Sequence, residues 1–158
     1  MMEVVIVVHD ISSAQRLVDM ARLIYGMGYK YFVASRVYGA AATNGVPEVH
    51  RLALRLGTSF TVLSRLSDVI ELFNVDKTII FSYAHGERRE IEDIVATIRS
   101  HDRVALVFGG SEGSPRKDEL GLGVPVYYTG VSGWLGPVAE AAIILYALKS
   151  TSSVERES

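Results

Sequence analysis

Two glycine-rich stretches late in the chain hold the residues best suited to a ligand site. The first, Gly109-Gly110-Ser111-Glu112-Gly113, directly follows the apolar run 104–108. The second, Thr129-Gly130-Val131-Ser132-Gly133-Trp134-Leu135-Gly136, follows the apolar run 124–128. Glycine lets main chain approach a bound molecule closely and adopt positive φ. One such loop at the end of each of two consecutive strands suggests a single site built mostly from backbone amides and carbonyls. Either loop alone reads equally well as a tight turn. A dinucleotide fold would carry its glycine turn after the first strand. Here that strand, 4–8, runs instead into His9-Asp10-Ile11-Ser12-Ser13.

The elements that must position these loops alternate in type. Apolar runs at 4–8, 31–35, 59–63, 78–82, 104–108 and 124–128 read as strands. Helices are predicted over 12–27, 47–57, 67–73, 87–99 and 137–148. The first carries Leu17, Met20, Ala21 and Ile24 on one face, with Ser12 and Gln15 spaced as a capping box. Pro47 suits a first helical turn and Gly57 a stop. No structure is assigned to the small-residue stretch 39–45. This alternation predicts one α/β domain over 1–149, a parallel sheet with helices on both faces. Residues 150–158 read as a polar, disordered tail. Ligands of such sheets bind at the carboxyl ends of the strands, where both glycine loops lie.

With 158 residues, 49% hydrophobic and 22% charged, the chain fits one ordinary globular domain. A net charge of −2 argues against a surface coated for nucleic acid, although the pairs Arg51-Arg55 and Arg88-Arg89 could form local patches. The absence of cysteine excludes disulfides and thiolate metal sites. No secretory pattern opens the chain, and the longest apolar run, 138–148, is too short to cross a bilayer, so a cytoplasmic location is expected. His9, His50, His85 and His101 are widely spaced, and no metal is expected. His9 and Asp10 are minor site candidates because they close the first strand. Neither a phosphate-binding lysine loop nor a nucleophile elbow is present. The final helix shows almost no polar face from Ala141 to Leu148, which predicts a homodimer with a second copy covering it.

The late segments resemble the SPOUT methyltransferases, in their SpoU-like (TrmH-type) branch. The run from Leu106 to Gly113 is similar to that family's second motif, an apolar strand leading into a glycine-glutamate-glycine loop. Val126-Tyr127-Tyr128-Thr129-Gly130, then Leu135 and the alanine-rich 141–146, are similar to the third motif. More weakly, the stretch from His9 to Gly28 resembles the first, a polar loop entering an arginine-bearing helix. The resemblance implies a deep C-terminal trefoil knot, S-adenosylmethionine bound within it, a homodimer and an RNA substrate. It implies cofactor contacts from Phe108, Gly109, Gly110, Gly113, Val126, Tyr128, Gly130, Leu135 and Gly136. It implies catalytic roles for Arg16 and Glu112. Trp134 and Gly136 stand where the family carries serine and asparagine, and the asparagine of the first motif is missing. Strict alignment sets Met20 at the family's arginine; Arg16 is preferred to Arg22 because it lies nearer the strand end.

The expected function is therefore S-adenosylmethionine-dependent methylation of RNA, at a ribose 2′-hydroxyl. The alternative is a non-catalytic dimeric module that binds S-adenosylmethionine or another nucleotide and regulates or scaffolds. A nuclease-like hydrolase ranks last, because no carboxylate cluster for a metal is visible in the sequence.

Overall fold

The computed structural model describes residues 2–157, with side chains to Ser150. The tail expected from Thr151 onward falls outside the residues whose side chains are described. Seven strands, β1 (Glu3–Ile11), β2 (Tyr31–Val37), β3 (Ser59–Leu63), β4 (Lys77–Phe81), β5 (Glu87–Arg89), β6 (Arg103–Gly109) and β7 (Val124–Tyr128), form one sheet. Their order is β3-β2-β1-β6-β4-β7-β5, and every pairing is parallel. The connections carry α1 (Ala14–Gly26), α2 (Val46–Leu56), α3 (Leu66–Phe73) and α4 (Ile91–Arg99), and α5 (Pro137–Glu157) follows β7.

Continuous apolar runs place β1 and β6 at the centre, buried on both faces, as parallel strands under helices are. The register sets Val8 between Ala34 and Phe108, and Phe81 between Phe108 and Val126. On one face, Ile6, Val8, Phe81, Phe108 and Val126 meet α1, α2, α4 and α5 in the larger core. On the other, Val5, Val7, Ile80 and Val107 meet Leu66 and Val69 of α3 together with Leu120. Phe81 and Phe108 stack with centroids 4.7 Å apart, directly beneath the loops that follow β4 and β6.

Several boundaries differ from the sequence expectation, each for a tertiary reason. β1 extends to Ile11 because Ile11 still pairs with Val37 of β2. α1 consequently begins later, and Ser13 rather than Ser12 caps it, its Oγ accepting from the Arg16 amide at 3.1 Å. The helix expected over 87–99 is two elements. Glu87–Arg89 is a short charged edge strand on β7, with Arg88 opposite Tyr127, and the helix starts only at Ile91. The stretch 39–45 ends in a π turn (Ala41–Gly45) that runs directly into α2.

α5 is not apolar on all sides in space. Ala141, Ile144, Leu145 and Leu148 form an inward stripe within the chain's own core, and Glu140 is buried beside them. Tyr146, 63% exposed, marks the outward face. The helix thus has a core of its own to cover its stripe, which leaves the outward face around Tyr146 as the part a second copy could cover. Among the described residues, no helix is long and apolar enough to cross a membrane.

Candidate functional site

The loops after β4, β6 and β7 converge at the carboxyl edge of the sheet. Arg16, in the first turn of α1, ties two of them together. Its Nη1 donates to the Gly110 carbonyl at 2.9 Å, and its guanidinium lies 5.6 Å from the centroid of Trp134. Beside it, Phe81, Tyr83, His85, Glu112, Gly113 and Trp134 line a cavity of about 120 Å³. The β4 loop is held tightly. Ser82 Oγ accepts from the His85 amide at 3.2 Å, the Ser82 carbonyl accepts from Gly86 at 2.8 Å, and Gly86 abuts the Val126 carbonyl.

The residues expected to hold a cofactor divide into three groups. Phe108, Val126 and Tyr128 are buried core. The Tyr128 hydroxyl donates to the Glu140 carbonyl at 2.6 Å, beneath the loops and away from the cavity. Gly109 and Gly110 are crowded by the chain itself. A Cβ at Gly109 would strike the Ser114 carbonyl, and one at Gly110 the Asp10 carbonyl and Ile11. Gly113, Gly130 and Gly136 instead take left-handed φ values of 84°, 84° and 87°, with open space where a side chain would stand. Leu135 is 41% exposed. Glu112 is exposed at the cavity. Arg16, Gly110, Glu112, Gly113 and Trp134 are therefore brought together, whereas Phe108, Val126 and Tyr128 belong to the core and do not line the cavity.

A buried relay fixes the second glycine loop to α5. The Leu135 amide donates to Tyr127 Oη at 3.1 Å, and the Tyr127 hydroxyl donates to Glu140 Oε2 at 2.6 Å. Glu140 Oε1 is buried without a partner among the described residues. Burial pushes the Glu140 carboxyl up to about 7, with the Tyr127 hydrogen bond pulling the other way. The Tyr127 hydroxyl is raised as well, by burial first and then by its bond to Glu140. Arg88 covers the relay, 4.9 Å from the Tyr83 ring and 5.3 Å from Tyr127.

A second polar cluster lies at the ends of β1 and β2. His9, 1% exposed, sets Nδ1 2.7 Å from Ser35 Oγ and Nε2 2.6 Å from Glu119 Oε2. Ser114 Oγ donates to the His9 carbonyl at 3.3 Å. The serine-histidine-glutamate order looks like a nucleophile and its base. Ser35 is fully buried, however, so no substrate reaches its hydroxyl. The cluster clamps the segment after β6 onto the sheet. Asp10 and Arg36, at φ 68° and 50°, face one another beside it, with Oδ1 3.7 Å from Nε. Sequence reading singled out His9 but not its partners, which lie 26 and 110 residues away. It also missed the Ser82–Gly86 loop, which carries no motif; sheet order alone brings it between the glycine loops. Among the described residues, no three His, Cys, Asp or Glu side chains are grouped to hold a metal ion.

A family model described as "RecB-family nuclease (DUF2122)" matches residues 39–147. The chain belongs to this family. An Aeropyrum pernix protein named "Putative type II restriction enzyme ApeKORF2002P" is 42% identical over 146 residues, covering 92% of each chain. Among solved structures, a probable methylase family protein from Haemophilus influenzae superposes with a TM-score of 0.78 at 15% identity, over 99% of this chain and 70% of its own. The SpoU methyltransferase AviRb from Streptomyces viridochromogenes, in complex with AdoMet, gives 0.70 at 13%, over 96% of this chain and 61% of its own. At such identities the likeness is one of fold, and the expected α/β architecture with its SPOUT-like sheet holds. The functional expectation does not. Membership in the RecB-family nuclease (DUF2122) family, with the restriction-enzyme relative, overturns both RNA methylation and its non-catalytic alternative. The class ranked last, a hydrolase of nuclease type, is the one these relatives name. Gly109 and Gly110, central to the motif resemblance, are also required by the chain's own close packing, so their presence does not by itself mark a cofactor site. Those two glycines are thus explained by the fold's own turns.

Proposed function

We propose that this RecB-family nuclease (DUF2122) protein cleaves phosphodiester bonds of RNA at the cavity beneath its three converging loops. The observation that carries this reading is Arg16, held between the Gly110 carbonyl and Trp134 beside a cavity that also receives Glu112 and His85. The usual nuclease metal does not suit the donor set, since no three ligating side chains gather among the described residues. RNA brings its own nucleophile, the 2′-hydroxyl beside the phosphorus. A carboxylate, an imidazole and a guanidinium are then sufficient for general acid–base cleavage.

In this scheme Glu112 accepts the 2′-hydroxyl proton as the 2′-oxygen bonds to phosphorus. The 5′-oxygen leaves as its bond to phosphorus breaks, taking a proton from the His85 imidazolium. Arg16 faces the charge on the phosphoryl oxygens with the N–H groups left free by Gly110. The products are a 2′,3′-cyclic phosphate and a 5′-hydroxyl. Trp134 offers a face for a base. The cavity, about 120 Å³, is smaller than the roughly 300–1,000 Å³ of a whole-ligand pocket, so it suits one ring or one ribose-phosphate unit.

Labelled RNA and duplex DNA of one sequence, each with EDTA and with Mg²⁺, test the proposal. The expected result is RNA cleavage in EDTA that leaves cyclic phosphate ends and is lost in Glu112→Ala and His85→Ala. DNA cleavage that requires Mg²⁺, or no cleavage of either substrate, would refute it.

A second reading concerns a ligand. The AdoMet complex of a fold neighbour favours S-adenosylmethionine over the open Gly113, Gly130 and Gly136 backbone, with Trp134 and Leu135 as apolar walls. Calorimetry at millimolar ligand tests it, and a flat titration rejects it. A homodimer across the outward, Tyr146-bearing face of α5 belongs to the same proposal. Sedimentation of a stable monomer at micromolar concentration would remove it.

A further inference from the structure

The cleft between α1 and α2 stands apart from the cavity above and has no part in its chemistry. It encloses about 300 Å³, and its walls carry Arg22, Arg51 and Arg55 against a single carboxylate, Glu48. Val49 and Ala53 turn the other side of α2 into the core, leaving Arg51 and Arg55 one turn apart on the outer side. Like charges at that spacing oppose helix formation. Neither makes a hydrogen bond or ion pair among the described residues, and one carboxylate, Glu48, shares the cleft with them. Glu48 reaches only Arg22, at 4.0 Å, and both of those side chains are more than half exposed. Three cations thus converge on one cleft in a chain whose net charge is −2.

We infer that this cleft grips the phosphodiester backbone of a nucleic-acid strand through Arg22, Arg51 and Arg55. Guanidinium forks match pairs of phosphate oxygens, and Arg22 and Arg51 face each other from two helices. Arg22 lies six residues beyond Arg16 on α1, about 9 Å along the helix. The choice of RNA as the strand rests on the proposed cleavage reading; the cleft itself does not.

Fluorescence anisotropy with a fluorescein-labelled single-stranded RNA of 20 nucleotides tests the inference on the full chain, read across a salt series. Each phosphate contact on a single strand adds about 0.7 to the salt slope. Arg51→Ala/Arg55→Ala should therefore lower the slope by about 1.4 and the affinity about tenfold or more. Unchanged affinity and slope would overturn the cleft. Displacement of the RNA by polyglutamate as effectively as by unlabelled RNA would overturn the nucleic-acid assignment. A slope shift in the variant, with no cutting of RNA by the wild type, keeps the cleft and sinks the cleavage reading. Cleavage with no slope shift does the reverse.

Discussion

Replacing Glu140 by glutamine should flatten the pH dependence of stability without touching the cavity. Glu140 is fully buried, bonded through Oε2 to Tyr127, and its carboxyl is pushed up to about 7 from 4.5, chiefly by burial. Between pH 4.5 and 7 the folded chain keeps a proton there that the unfolded chain has released. Stability from this group is therefore full below about pH 4.5, falls as pH rises through that window, and is gone above 7. Between pH 5 and pH 8 the loss comes to about 2.5 kcal/mol. Glutamine keeps an acceptor for the Tyr127 hydroxyl and cannot ionise. Its NH₂ inherits the unpartnered Oε1 position, a cost of about 1–3 kcal/mol at every pH, so the slope rather than the level is diagnostic. Urea unfolding of both proteins at pH 5 and pH 8 reads it directly. Wild type should lose about 2.5 kcal/mol more than the variant over that range. Parallel pH dependences would show that the Glu140 carboxyl is not held protonated in the fold.

Other substitutions probe the remaining contacts. Arg16→Ala should lower RNA cleavage about 100-fold, the typical loss of one donor to developing charge, and a full rate in the variant would remove Arg16 from the site. His9→Ala removes the partner of Glu119 Oε2 and of the buried Ser35 hydroxyl, while Glu119 Oε1 keeps Arg116, and should cost about 2 kcal/mol, seen as a fall in melting temperature of roughly 4–8 °C. Gly109→Ala should destabilise the chain strongly, because its methyl meets the Ser114 carbonyl. Gly133→Ala, where nothing lies within 4 Å, should melt with the wild type; equal melting of the two variants would refute the crowding at Gly109.

What the chain shows on its own is what neighbouring residues impose. The apolar runs at 59–63 and 124–128 became β3 and β7 without change, and Gly57 ends α2 in the left-handed conformation that its lack of a side chain allows. Arg16 entered as a candidate through the family resemblance, and its nearness to the end of β1 chose it over Arg22. The edge strand at Glu87–Arg89 was not legible: its pairing with β7 decides its conformation, and its charged residues suit an exposed helix equally well. The cavity depends on β4 lying between β6 and β7, an order that no periodicity encodes. His9 meets Glu119 across 110 residues, and Gly109 and Gly110 have the same composition whether a ligand or the chain's own carbonyls press on them. Local torsional preference and hydrophobic spacing act over a few residues, so the sequence determined the elements. Packing of distant segments against one sheet decided which loops share a site.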